Sequence, residues 1–345
     1  MIRPLSRRAL GRLAAALAIA SLRPGPVRAA RQATPTTDAA LAALPTPGSL
    51  PVGQPRAAGP LRVVATTGIL ADIAANIGGE RIAARSVLPA NADPHEFEPT
   101  PADIVAAADA DLLIEHGLGL DAWAERLLQN ARPGLPTIVA SDGVHTLTLA
   151  EEEADRVRPP DEGHGHDSSA VDPHWWFDPI RTIGAVEFIA AGLLAVDPAG
   201  EPTYRARAAA YAQQLRDLDA AIARAIDTIP PARRKLVTNH DAIAYYADRY
   251  GLTLVGTIIP GLETTAEPSA REVAALLDEI ARAGVSVIFS ENTTSPRLAQ
   301  SLADEAGIRV VDDLYTDNLG PPGSGADTYQ GLLRTDTVII VEALR

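Results

Sequence analysis

The chain of 345 residues is 46% hydrophobic and 21% charged, an ordinary soluble composition and, at roughly 100–200 residues per domain, enough for two domains. Its 30 basic and 44 acidic residues leave a net charge of −14, which argues against nucleic acid or anionic lipid as a partner. It contains no cysteine, so disulfides, thiolate metal sites, cysteine nucleophiles and a lipid-modified N-terminal cysteine are excluded, and any metal must be held by nitrogen and oxygen.

The chain opens with Arg3, Arg7, Arg8 and Arg12, continues with an apolar run over 13–22, and reaches Val27-Arg28-Ala29, a small-residue context that suits signal peptidase. This order predicts a signal peptide over residues 1–29. The run is too short to cross a bilayer, which takes about 20 apolar residues. Ser6-Arg7-Arg8-Ala9-Leu10 resembles a twin-arginine signal, with Gly11 where a second apolar residue is usual, so both export routes stay open. Cleavage after Ala29 removes six arginines and no acid, leaving 24 basic against 44 acidic residues and a net charge of −20. The mature protein is expected in the periplasm or otherwise outside the cytoplasm, with no lipid on a cysteine. Residues 30–60 carry prolines at 35, 45, 47, 51, 55 and 60 and no apolar periodicity, which predicts a flexible linker.

From residue 61 short β-rich runs alternate with helical patterns. Runs 61–66, 82–88, 112–114 and 137–140 are strand candidates, followed by a second series at 235–238, 252–259, 285–289 and 308–311. Thr100-Pro101 supplies an N-cap and a first-turn proline, Ser269 and Glu272 form a capping box, and Gly284 ends that helix. Helices are also expected over 241–250 and 296–306. Between the two series Tyr204, Ala208, Tyr211, Leu215, Leu218, Ile222 and Ile226 recur at spacings of three and four, one apolar stripe on a helix ending before Pro230-Pro231. At 1.5 Å per residue, 202–229 would run about 40 Å. The fold class is therefore α/β, with two similar parallel-sheet lobes over 61–200 and 231–345 and one long linking helix over 201–230. Residues 150–171 interrupt the pattern with Glu151-Glu152-Glu153, His164 and His166, a polar loop.

Of the seven histidines, three stand in sharply punctuated settings. His95 lies in Asp93-Pro94-His95-Glu96-Phe97-Glu98-Pro99 after a strand, and His174 in Asp172-Pro173-His174-Trp175-Trp176-Phe177-Asp178-Pro179. His240 lies in Thr238-Asn239-His240-Asp241 at the carboxyl end of the second lobe's first strand. Ligands of open α/β sheets bind beyond the carboxyl ends of strands, which places His95, His240 and Leu314-Tyr315-Thr316-Asp317-Asn318 near one inter-lobe cleft. Three imidazoles and one carboxylate satisfy a tetrahedral Zn²⁺ without thiolate.

The segments 93–101 and 172–179, together with Gly117-Leu118-Gly119-Leu120, Trp123, Thr238-Asn239-His240-Asp241-Ala242, Tyr245-Tyr246 and Tyr250-Gly251-Leu252, resemble the zinc/manganese ABC transporter substrate-binding family in content and order. The resemblance implies two α/β lobes joined by one rigid helix, with the metal between them as transported ligand and His95, His174, His240 and Asp317 as its ligands. Asp317 rests on the shortest context, with Asp312 and Asp313 close by. It further implies capture of zinc, or of manganese as the alternative, and delivery to the membrane permease of an ABC importer by a monomer that is not an enzyme.

His116 stands where the family suggests a small polar residue, and of the family's long His-rich loop only His164 and His166 remain. Glu291, Asp93 and Asp172 are equal candidates for orienting the ligand histidines. Two other functions compete. A zinc-dependent hydrolase would need an open metal position and a general base, yet His95-Glu96-Phe97-Glu98-Pro99 is not the helical HExxH of a metalloprotease, and neither GxSxG nor Walker A occurs. A surface adhesin is suggested only by how some members of the family are described.

Overall fold

The computed structural model describes residues 56, 58–132, 134–147 and 171–345. The predicted signal peptide, nearly all of the linker, and the polar loop with Glu151-Glu152-Glu153, His164 and His166 lie outside the described residues.

In the first lobe β1 (Leu61–Ala65), α1 (Gly68–Gly78), β2 (Ile82–Ser86), α2 (Pro101–Ala108), β3 (Leu112–Glu115), α3 (Trp123–Ala131) and β4 (Thr137–Val139) follow one another. The strands form one parallel sheet of order β2-β1-β3-β4, with Val64 level with Arg85 on one side and Leu113 on the other. Sheet and helix faces are apolar on the inside, so Val63, Ala65, Ile69, Ile73, Ile77, Leu112 and Ile114 are buried together. Thr67 caps α1 through its hydroxyl, and Thr100 and Asp103 form a reciprocal capping box on α2 with Pro101 at the first position.

Helix α4 (Pro179–Val196) leads into α5 (Glu201–Ile226), the long linking helix. Its stripe of Tyr204, Ala208, Tyr211, Leu215, Leu218, Ile222 and Ile226 is buried, and it packs against α1 and α4 on the first-lobe side. On the other side it meets α9 (Tyr329–Leu344), the last helix. Among the described residues α4 is long and apolar enough to cross a membrane by length and composition, but Ile183, Val186, Ile189 and Leu193 face the core.

The second lobe runs β5 (Lys235–Thr238), α6 (Ala244–Tyr250), β6 (Thr253–Thr257), α7 (Ala270–Ala283), β7 (Val287–Glu291), α8 (Arg297–Ala306) and β8 (Arg309–Leu314). Here the ladder is split: β5 pairs with β6 and β7 with β8, all parallel, with register shifts at Leu236/Val237 and Phe289/Glu291. β5 and β7 lie side by side. Side chains bridge them near their carboxyl ends, where the Glu291 carboxylate accepts the His240 N–H at 2.9 Å and the Asn239 side-chain oxygen accepts the Glu291 N–H at 3.4 Å. β7 begins two residues later than the apolar run suggests. Gly284 takes the left-handed conformation (φ 65°) and the Val285 N–H closes back on the Ile280 carbonyl, so Val285 belongs to the exit of α7. Glu291 is the last residue of β7.

Candidate metal centre

The two predicted histidines of the first lobe are both held by an Asp-Pro-His turn. Asp93 accepts the backbone N–H of His95 at 2.8 Å, and Asp172 accepts that of His174 at the same 2.8 Å. A carboxylate bonding the backbone two residues on is a turn that aspartate favours, and the intervening proline fixes φ. The His95 turn is fastened further by the Trp123 indole N–H, which donates to the Pro94 carbonyl at 3.0 Å, and by Phe97 packed edge-on against Trp123. The His174 turn runs straight into the buried helical turn Trp175–Phe177 and the Asp178 cap of α4.

In the second lobe His240 follows β5 and Asp317 follows β8, both at the carboxyl ends of strands. Asp317 is enclosed by contacts that cross the cleft. The Trp176 indole N–H donates to the Thr316 carbonyl at 2.9 Å, and the Asn318 amide donates to the Pro89 carbonyl at 2.5 Å and the Ala92 carbonyl at 3.2 Å. Asp312, the neighbouring alternative, is exposed on β8, whereas Asp317 is fully buried.

The structure brings His95, His174, His240 and Asp317 together: one donor atom from each lies within 4.8 Å of every other. The imidazole centroids are 5.2–5.6 Å apart. His174 Nε2 stands 3.5 Å from Asp317 Oδ1, and His240 Nε2 stands 3.5 Å from Asp317 Oδ2. Nε2 of His95 and Oδ1 of Asp317 are buried with no hydrogen-bond partner among the described residues. Buried polar atoms are nearly always satisfied, so two such atoms converging on one point mark a place for a cation.

Each imidazole turns its other nitrogen to a carboxylate. Nδ1 of His174 meets Asp172 at 2.7 Å, Nδ1 of His240 meets Glu291 at 2.5 Å, and Nδ1 of His95 meets Glu263 at 3.0 Å. An ionised carboxylate only accepts, so each Nδ1 carries a proton and each Nε2 points inward, offering its lone pair to a metal when the ring is neutral. Of the three residues considered for this orienting role, Asp172 and Glu291 have it. Asp93 does not: its second oxygen accepts the Thr264 hydroxyl at 2.6 Å. Glu263, which the sequence did not single out, takes the third place. Its one sequence signal is the placement of Gly261-Leu262-Glu263 just beyond the carboxyl end of β6.

The electrostatics follow the burial. Burial opposes charge on His240, but Glu291 and Asp317 outweigh it and push its pKa up to about 10. Burial raises Asp317 to about 6 against the pull of His240 and His95. His174 is held well below the usual histidine value by burial and by the neighbouring histidines. His95 is raised, because the Glu263 hydrogen bond and the Asp317 charge exceed its desolvation.

His116 lies beside the cluster and outside the group of four. It stacks on Trp175 with centroids 4.6 Å apart, meets Trp176 edge-on, and has no partner for either ring nitrogen among the described residues. Burial, followed by the charge of His95, lowers it to about 3, so it is neutral at any physiological pH.

The chain matches the family model described as zinc-uptake complex component A, periplasmic, over residues 63–343. It is 31% identical over 284 residues, 82% of this chain and 88% of the relative, to the manganese-binding lipoprotein MntA of Halalkalibacterium halodurans. It is 32% identical over 279 residues, 80% of this chain and 85% of the relative, to the iron-binding protein YfeA of Yersinia pestis. Among solved structures it resembles the periplasmic zinc-binding protein TroA of Treponema pallidum, with a TM-score of 0.72, 27% identity, and coverage of 83% of this chain and 99% of that one.

Proposed function

The chain belongs to the family of the periplasmic zinc-uptake component A, metal-binding substrate-binding proteins of ABC importers that work outside the cytoplasm, and on that premise we propose that it captures zinc through His95, His174, His240 and Asp317 for delivery to a membrane permease. The observation that carries this reading is the convergence of three inward-facing Nε2 atoms and one buried carboxylate, each from a different segment, within 4.8 Å.

Three neutral nitrogens and one oxygen suit tetrahedral zinc. Manganese stands low in the Irving–Williams order and prefers oxygen-rich, higher-coordinate surroundings. A second reading, manganese or iron as the cargo, is favoured by the names of the relatives from Halalkalibacterium halodurans and Yersinia pestis. A hydrolytic role has less support: four protein donors leave a tetrahedral zinc no open position, and the carboxylates of Asp93, Asp172 and Glu291 already hold an imidazole or a backbone N–H. Several relatives are named lipoproteins; the 345 residues here contain no cysteine. Export with cleavage after Ala29 and a monomeric mature protein complete the proposal.

Metal analysis of protein purified from the periplasm without chelator, followed by competition titration, tests the reading. One zinc per chain that excess manganese does not displace is the expected result. Equal or tighter manganese binding overturns zinc while leaving metal capture intact.

A further inference from the structure

The three carboxylates that orient the imidazoles differ in where they come from. Asp172 is two residues from His174 in the same turn, and Glu291 lies on the strand beside His240 in the same lobe. Both are completely buried. Glu263 belongs to the second lobe, in the segment between β6 and α7, and reaches across to His95 of the first lobe. Its side chain is 58% exposed, whereas the His95 ring is fully covered. The neighbouring Thr264 makes a parallel crossing to Asp93.

Resting on the metal-capture reading above, we propose that Glu263 is the positioning residue that prepares His95 for the metal, and that it does so from across the cleft. A metal-bound imidazole is a better ligand when its other N–H is held by a carboxylate, because ring orientation, tautomer and basicity are then all set. His174 and His240 keep that help whatever the lobes do. His95 has it only while the second lobe faces the first, so the quality of this ligand is tied to closure of the cleft. The Glu263 contact is also the one that water can reach, which makes it the first of the three to be exchanged for solvent and places the start of metal release at His95.

The test compares wild type, E263A, E263Q and T264V, each loaded with zinc, by transfer of the metal to a chromophoric chelator in stopped flow and by NMR of ¹⁵N-histidine-labelled protein. E263A is expected to release zinc about 10–100-fold faster, the range typical for losing such a partner, with association changed less than threefold. E263Q should fall between, since an amide oxygen still accepts the Nδ1 proton but without charge assistance. The His95 Nδ1–H resonance should persist in E263Q and be lost to solvent exchange in E263A, with those of His174 and His240 unmoved. Wild-type release from E263A overturns the proposal, and so does T264V releasing as fast as E263A, which would make the segment a simple strap. If wild type binds neither zinc nor manganese, metal capture fails and the proposal with it; if wild type binds and E263A is unaltered, only the proposal fails.

Discussion

The tripeptide Asp-Pro-His occurs twice in this chain, at 93–95 and 172–174, and the two copies fold into the same turn, with the same 2.8 Å bond from the histidine N–H to the aspartate. Their rings nevertheless answer to different masters. Asp172 bends back to hold its own histidine's Nδ1 at 2.7 Å, whereas Asp93 turns its second oxygen to Thr264 and leaves the ring to Glu263 of the other lobe. Local sequence sets the backbone of a ligand turn, and tertiary surroundings set the chemistry of its side chain.

The harshest way to break the comparison is to delete the rings. His174→Ala and His95→Ala remove a donor from the cluster, and each should lower zinc affinity by more than the 10–100-fold typical of losing only an orienting partner. His240→Ala and Asp317→Ala should do the same, Asp317→Ala most specifically because it leaves two inward Nε2 atoms without the carboxylate 3.5 Å away. Competition titration against a chelator of known affinity measures all four. Two or more variants binding like wild type would remove these residues from the ligand set.

A milder cut separates the two aspartates. Asp172→Asn should weaken zinc about 10–100-fold, because it takes the charge from the ring contact, and Glu291→Gln should act alike on His240. Asp93→Asn keeps an oxygen for the His95 N–H and touches no ring, so a loss below tenfold is expected. Equal losses at 93 and 172 would mean that the two turns act as scaffolds only.

Proton release sharpens the same contrast. His240 is pushed up to about 10 in the metal-free protein, so its charged form contributes stability that is complete below the unperturbed 6.5 and is lost as pH rises through about 10. Zinc requires the ring neutral, so at pH 8 uptake should expel at least one proton. His174, held neutral by burial, should release none. Calorimetry in two buffers of different ionisation enthalpy counts the protons, and a count of zero refutes the charged His240. Affinity should accordingly fall about tenfold for each pH unit per proton released as the solution is acidified from pH 8.

Much of this was legible in the residues. Alternating runs and caps located every described strand of both lobes and the linking helix, because the 3.6 and 2.0 periodicities report directly which face is buried. Asp-Pro-His turns and strand-end placement made the four converging residues candidates, and the resemblance to the family singled them out as ligands. Two things were hidden. The second lobe's ladder breaks at the site, where Asn239 and Glu291 side chains stand between β5 and β7, and a strand's apolar pattern carries no record of such a substitution. Irregular registers are common beside functional sites, and here one shift lies at Phe289/Glu291, next to the carboxylate that bonds His240. Glu263 was hidden for a different reason: 168 residues separate it from His95, and its place just beyond a strand end is shared by many exposed loop residues that bond nothing.

The smallest effect at neutral pH belongs to His116, which supports the second turn by stacking on Trp175 without hydrogen bonds to either nitrogen among the described residues. A ring in that position must stay neutral to stay folded. Its pKa is lowered to about 3 by burial and then by His95, so its contribution to stability is complete above 6.5 and is lost as pH falls from 6.5 toward 3, at roughly 1.4 kcal/mol per pH unit. His116→Leu should therefore change zinc affinity at pH 7.5 by less than threefold, since the ring lies outside the donor group. Packing alone should cost about 1 kcal/mol there. In chelator between pH 6 and pH 4.5, however, the variant should lose stability more gently than wild type by about one proton's worth of slope. Urea unfolding of both proteins across that range reads the difference. Parallel pH profiles would show that His116 gains its proton without leaving the stack, and its place between Trp175 and Trp176 would then be a matter of shape alone.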